Sequence, residues 1–135
     1  MNVKNENAFL WPIRVYYEDT DSGGVVYYAN YLKFMERART EWLRAAGFEQ
    51  DELIAKENVI FAVRSVQADY LLPARFNEEL VVSTRVIKKG KASISVEQLV
   101  QRDSDTLCKA TVKIASLSAT DFKPAVMPDN LYNKI

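Results

Sequence analysis

The feature that most limits the fold of this chain is a single long amphipathic helix pattern between residues 31 and 46. Asn30 is predicted as the N-cap of this helix and Gly47 as the C′ residue beyond its end. Arg37 and Glu41 have the spacing of a pair across one turn. Apolar residues recur at three- and four-residue steps, which places them on one face of about four turns: Tyr31, Phe34, Met35, Ala38, Trp42, Leu43 and Ala46.

The remainder of the chain has the pattern of strands. The order is one strand, the long helix, and then four strands in an antiparallel meander, with a hairpin turn predicted at residues 88–91. The single helix is the available cover for the apolar face of such a sheet, which predicts an α+β domain in which about five antiparallel strands wrap around it. The strand patterns lie at residues 11–17, 59–71, 79–88 and 92–101 and in the alternating run Cys108, Ala110, Val112 and Ile114 against Lys109, Thr111 and Lys113.

We predict one domain over residues 1–135, with residues 1–9 and 122–135 as peripheral tails. Pro124 and Pro128 make a sheet strand in the second tail unfavourable. A sheet of this kind has exposed edges, so a homodimer joined edge to edge is expected, with the functional site near the subunit boundary.

Composition excludes several functions. The chain contains no histidine, which removes His-dependent triads and the usual zinc sites. Its net charge is 0, which gives no support to nucleic-acid binding. The one cysteine, Cys108, lies in an apolar run and is read as core. With no secretory signal or membrane span in the sequence, a reduced cytoplasmic protein is expected.

An acidic and glycine-rich stretch before the helix is the candidate site. Glu18, Asp19 and Asp21 end the first strand, and Gly23 and Gly24 allow a sharp turn before the helix begins. A carboxylate near free helix N–H groups can attack a carbonyl, while the N–H groups stabilise the resulting oxyanion. Taken alone, Asp21 beside Ser-Gly-Gly is better explained as ordinary turn chemistry, and the longer motif around it reverses this interpretation.

The residues around this stretch resemble the signature of hotdog-fold acyl-CoA thioesterases, specifically the 4-hydroxybenzoyl-CoA thioesterase-like family. Glu36 to Leu43 and Asp69 to Phe76 are most similar to its Tol–Pal-associated, YbgC-type branch, and the resemblance covers residues 12–120. The motif consists of Arg14-Val15-Tyr16-Tyr17-Glu18-Asp19-Thr20-Asp21, Gly24-Val25-Val26-Tyr27, Asn30-Tyr31 and Phe34-Met35-Glu36-Arg37-Ala38-Arg39.

The resemblance implies a role for each part of the motif. Asp21 matches the catalytic carboxylate, which attacks the thioester or activates a water, and the backbone N–H of Tyr28 matches the donor that polarises the carbonyl. Asp19 and Glu18 are read as structural or solvated. The residues expected to bind substrate are Gly23, Gly24, Val25, Val26, Tyr27, Asn30 and Tyr31. The aromatic members are equally compatible with core or dimer contacts, whereas Asn30 is interpreted as an N-cap in preference to a catalytic group.

One position departs from the branch. Tyr28 stands where the Tol–Pal-associated proteins commonly have His, so backbone polarisation is kept while any role of an imidazole is lost. Rate and acyl preference depend on this change, whereas the type of reaction does not.

The coenzyme A moiety of the substrate is expected to contact the basic hairpin Lys88, Lys89 and Lys91, because the nucleotide end of CoA is anionic. The alternative is a solvated turn that protects a sheet edge. No metal or cofactor is expected, CoA being part of the substrate.

The sequence therefore predicts a thioesterase for a small or medium acyl-CoA, or for a thioester of acyl carrier protein, in a homodimer or a tetramer of two dimers. Its activity should fall towards acid as Asp21 takes up a proton. The alternative is a catalytically weak hotdog protein that binds acyl thioesters or scaffolds partners in lipid metabolism. A hotdog dehydratase is disfavoured, since the families compared use a histidine.

Overall fold

The computed structural model describes residues 7–135, in which five antiparallel strands form one sheet with the order β1-β3-β4-β5-β2. The predicted α+β architecture of about five antiparallel strands and one long helix is confirmed, but the simple meander is wrong. β2 pairs with β5 and not with β3, and β1 lies beside β3. Apolar alternation defines the two faces of a strand and not its neighbours, which explains this error. The strands are β1 (Phe9–Arg14), β2 (Val59–Tyr70), β3 (Glu79–Lys89), β4 (Ser93–Arg102) and β5 (Asp105–Ser118).

The long helix α1 (Asn30–Ala45) lies where it was predicted, with corrections at its ends. Asn30 is not the N-cap: it is the first helical residue, and its side-chain Nδ2 donates to the main-chain oxygen of Asp19 at 2.8 Å. Gly47 adopts φ 95° beyond the helix end, as expected of a C′ residue. Glu41 pairs with Arg44 on the next turn and not with Arg37.

The core lies between α1 and the sheet. Alternate β5 residues from Cys108 to Ile114 are buried, which confirms the predicted inward face of that strand. A buried amide also joins helix and sheet, because the Nε2 of Gln98 donates to the main-chain oxygen of Met35 at 3.0 Å and to Oγ1 of Thr84 at 2.9 Å. Burial of apolar side chains here contributes roughly 1.5–3 kcal/mol each, and the largest contributors include Phe34, Met35, Leu80, Val82, Val96 and Val112.

Two further helices, α2 (Gln50–Glu57) and α3 (Asp129–Lys134), were not predicted. Leu53 of α2 and Leu131 of α3 pack with Leu43 of α1 in a second apolar cluster. The segment 122–135 was expected to be peripheral, yet it also buries Met127. The predicted N-terminal tail falls largely in residues 1–6, which lie outside the described part.

The edge strand β2 is unusually open. Val59 at its start is buried, but two valines further along are not buried within one chain: Val63 is 48% exposed and Val66 40%. The edge of β2 that faces away from β5 pairs with no strand among residues 7–135. Within the same range, no helix has the length and apolar character needed to cross a membrane.

Candidate active site

Asp21 lies at the start of a tight hairpin formed by residues 21–25. The Asp21 N–H donates to the oxygen of Val25 at 2.9 Å, and the Gly24 N–H donates to the oxygen of Asp21 at 3.0 Å. Gly24 has φ 79°, a left-handed conformation that disfavours other residues and closes a three-residue loop of the bulged type. The local sequence therefore folds as the two glycines predicted.

The carboxylate of Asp21 is exposed and held at one oxygen. Its Oδ1 accepts the N–H of Gly23 at 2.8 Å, and no hydrogen bond reaches Oδ2 from the described residues. A side chain at position 23 would put its Cβ 3.2 Å from Oδ1, so the glycine leaves room for the carboxylate. One oxygen is positioned and the other is open to a reacting group.

Asp19 has a different role from Asp21. It is buried, and its Oδ2 accepts the N–H of Tyr16 at 2.8 Å across a short 3-10 helix (Tyr17–Asp19). Its main-chain oxygen also accepts from Tyr27 N–H at 3.0 Å, while Glu18 is exposed. The predicted first strand is wrong at its end for this reason: the chain leaves β1 at Arg14, and the Asp19 carboxylate stabilises a turn.

The start of α1 presents unpaired N–H groups. Asn30, Tyr31 and Leu32 donate to the main-chain oxygens three residues before them. Among residues 7–135, the N–H groups of Tyr28 and Ala29 have no acceptor. These groups lie at the positive end of the helix dipole, which is where a developing oxyanion is best stabilised.

An apolar cleft of about 230 Å³ adjoins this helix start, and the side chain of Tyr28 forms part of its wall. The ring centroids of Tyr28 and Tyr70 are 5.7 Å apart, as are those of Tyr31 and Tyr70. Burial raises the pKa of Tyr31, against the opposing effect of the Ala74 N–H that donates to its Oη, and burial also raises the pKa of Tyr70. The other wall residues are Val26, Leu71, Leu72 and Pro73.

The structure brings together only part of the predicted substrate site. Val26, Tyr28 and Tyr31 line the cleft, whereas Asp21, Gly23, Gly24, Val25 and Tyr27 do not, and Asn30 binds Asp19. The contribution of residues 70–73 was missed. An apolar run immediately after a strand, Tyr70-Leu71-Leu72, was the signal that could have revealed it.

The basic hairpin lies at the opposite end of the sheet from Asp21. β3 begins at Glu79, next to the Asp21 end, and reaches Lys89 ten residues later, roughly 33 Å away at 3.3 Å per residue. The Nζ of Lys89 is engaged at 2.7 Å by the main-chain oxygen of Tyr132 and lies over that ring. Lys88 and Lys91 are exposed. One chain therefore does not bring the three lysines to Asp21.

Comparisons with known proteins agree on one family of enzymes. The sequence profile of the Thioesterase superfamily matches residues 23–109. The acyl-CoA thioesterase YbgC of Haemophilus influenzae is 45% identical over 123 residues, which cover 91% of this chain and 90% of that protein. The acyl-CoA thioester hydrolase YbgC of Shigella flexneri is 40% identical over 94% of this chain and 95% of its own.

Solved structures give the same result. The crystal structure of a probable thioesterase from Bartonella henselae superposes with a TM-score of 0.86 at 35% identity, covering 90% of this chain and 99% of that one. A Staphylococcus aureus protein, SAV2348, solved in complex with CoA, superposes with a TM-score of 0.88 over 99% of this chain and 85% of its own. At 12% identity the second likeness shows the fold alone.

Proposed function

The chain belongs to the Thioesterase superfamily, and we propose that it hydrolyses acyl-CoA thioesters with Asp21 as the catalytic carboxylate and the Tyr28 N–H as the oxyanion donor. The resemblance found in the sequence is confirmed at the level of the family. The observation that carries the catalytic assignment is the unpaired Tyr28 N–H at the start of α1, seven residues beyond the exposed carboxylate.

Two routes are open to Asp21. In the first, Oδ2 attacks the thioester carbon, the C–S bond breaks to release the thiol, and water then hydrolyses the acyl anhydride formed on Asp21. In the second, the carboxylate takes a proton from a water that attacks the same carbon. Both routes place negative charge on the carbonyl oxygen, where the Tyr28 N–H stabilises it.

We assign the apolar cleft beside Tyr28 to the acyl group. Its aromatic and leucine walls favour an apolar acyl chain over a polar one. Tyr28 contributes its backbone to catalysis and its ring to the wall, so replacement of the branch's usual His alters acyl preference more than reaction type.

The proposal includes a second copy of the chain paired along the open edge of β2. Antiparallel pairing of two β2 strands would bring the hairpin end of one chain beside the Asp21 end of its partner. Lys88 and Lys91 are exposed at that end and suited to CoA phosphates. The assembly is then a dimer or a pair of dimers. The proposal also includes acyl carrier protein as an alternative carrier of the thioester, and the reduced cytoplasm as the location of the protein.

The test is thiol release from short aliphatic, long aliphatic and aromatic acyl-CoAs, comparing wild type with Asp21→Asn. Loss of a base or nucleophile is expected to lower kcat by about 10²–10⁴-fold, with activity of the wild type falling towards acid. Asp121→Asn is the matched control, since Asp121 also accepts an N–H two residues on, from Lys123 at 3.1 Å, in an exposed loop. Equal and negligible rates in all three proteins would instead favour the binding or scaffold function.

A further inference from the structure

A second cavity lies between α1 and the sheet. It has a volume of about 140 Å³ and shares no lining residue with the cleft beside Tyr28. Trp42, Phe61, Ile94 and Ile114 form its apolar side. The polar side carries Arg39 together with Glu36, Thr40 and Gln50, so one cation and one carboxylate stand opposite an apolar wall.

Arg39 is held in place by the buried amide network. Its Nη1 donates to Oε1 of Gln98 at 3.0 Å, and Gln98, fully buried, is itself fixed by Met35 and Thr84. The guanidinium is therefore oriented by a rigid neutral partner and not by a flexible surface contact. A group positioned in this way is pre-organised for a planar, bidentate ligand.

The charge of Arg39 has no carboxylate in direct contact. No ion pair within 4.0 Å involves it among residues 7–135. Glu36 interacts with the Arg39 charge through space, while its own Oε1 accepts a hydrogen bond from the hydroxyl of Thr40 at 3.2 Å. Burial lowers the pKa of the Arg39 guanidinium, and Glu36 opposes that shift. A partly buried cation without a contacting anion is unfavourable, which an anionic ligand would relieve.

We propose that this cavity binds the carboxylate of a short aliphatic acid, with the acid group on Arg39 and the hydrocarbon against Trp42 and Phe61. The cavity of about 140 Å³ is smaller than the cleft of about 230 Å³ beside Tyr28, which favours a short acid such as butyrate over a long one. The apolar side disfavours a hydrated inorganic anion.

The binding test uses the fluorescence of Trp42, which lines the cavity, in a Trp11→Phe background that removes the other tryptophan. Butyrate is expected to give a saturable change and butyramide, which lacks the charge, none. Arg39→Gln should weaken butyrate binding about ten-fold or more, and Arg39→Lys by less, because the charge remains and the planar fork is lost. Arg37→Gln is the matched control, an exposed arginine on the same helix outside this cavity.

Three results would overturn the proposal: no saturable change with butyrate, an equal change with butyramide, or unaltered binding in both folded Arg39 variants. Circular dichroism establishes that the variants are folded. If Arg39→Gln does not fold, Arg39→Lys decides alone, since it keeps the buried charge.

The carboxylate ligand of Arg39 has two possible sources, and the choice between them rests on the proposed function. It is either the acid that hydrolysis releases or the free carboxylate of a dicarboxylic acyl group, which would then bind in this cavity and not in the cleft beside Tyr28. If Arg39→Lys raises KM for succinyl-CoA and not for butyryl-CoA, the acyl group is the ligand. If it relieves inhibition by butyrate while both KM values stay the same, the ligand is the released acid. If no thioester is hydrolysed, the proposed function fails, while the fluorescence titration still decides the cavity.

Discussion

Asp19 and Asp21 are two residues apart and have opposite environments. Asp19 is buried and caps the short turn at Tyr16, whereas Asp21 is exposed in a glycine hairpin with one free oxygen. In an extended strand, residues two apart would share a face. The 3-10 helix between Arg14 and Asp21 breaks that alternation, so the two carboxylates come to differ in burial and in the role they can take.

Cys108 allows a prediction about pH. Burial raises the pKa of its thiol from 9.0 to about 11, so the folded state keeps a proton that the unfolded state loses between those values. The thiol contributes ~2–3 kcal/mol to the free energy of unfolding below pH 9.0. This contribution is lost as the pH rises through about 11.

Urea unfolding of wild type and Cys108→Ala across this window measures the effect. The free energy of unfolding of the wild type should fall more steeply with pH than that of the variant. Because the tyrosines ionise in both proteins, their effect on the free energy of unfolding cancels in this comparison. Parallel curves would contradict the burial of this thiol.

Among the helices and strands, hydrophobic periodicity predicted those that carry a long regular pattern and missed the short ones. α1 has apolar residues at helical spacing over 16 residues, and β5 alternates cleanly, so both were placed within a few residues. α2 has eight residues and one buried side chain, Leu53, and α3 has six, so neither carries enough pattern to stand out. Their helical form depends on packing against Leu43, which is ten residues from Leu53 and 88 from Leu131.

Tyr31 links α1 to the segment that supports the Asp21 hairpin, which gives a second prediction. Its Oη accepts the N–H of buried Ala74 at 3.0 Å, and the next residue, Arg75, bridges Val25. Tyr31→Phe leaves that N–H without a partner, at a cost of about 1–3 kcal/mol in the free energy of unfolding.

Tyr70→Phe is the control for Tyr31→Phe, because Tyr70 lines the same cleft, is 45% exposed and has no hydrogen bond from its hydroxyl among the described residues. Urea unfolding should separate the two variants, with Tyr70→Phe close to wild type. Equal stabilities would show that the Ala74 N–H finds another acceptor.

For the whole molecule, the order of the strands in the sheet determines which side of the cleft beside Tyr28 is left open in one chain. Placing β2 beside β5 makes β2 an edge, and the cleft of Tyr28 and Tyr70 opens at the end of that same strand. Asp21 does not line the cleft within one chain. The sequence located the carboxylate and the helix start, but how they are enclosed depends on long-range pairing that local patterns do not specify. A partner across β2 is the simplest way to complete the wall.

This assembly predicts how a charge on the open edge behaves. Light scattering of the wild type should give at least twice the 15.4 kDa of one chain. Val66→Lys places a charge among the apolar residues of β2 and should shift the protein towards monomer, because an unpaired lysine blocks edge pairing. Val126→Lys, at a position 65% exposed outside the sheet, should leave the mass unchanged. If the partner completes the site, the monomeric variant also loses thioester hydrolysis while keeping its circular dichroism spectrum. A wild type that is already a stable monomer would rule out a shared site, and the cleft would then have to bind its substrate with the residues of a single chain.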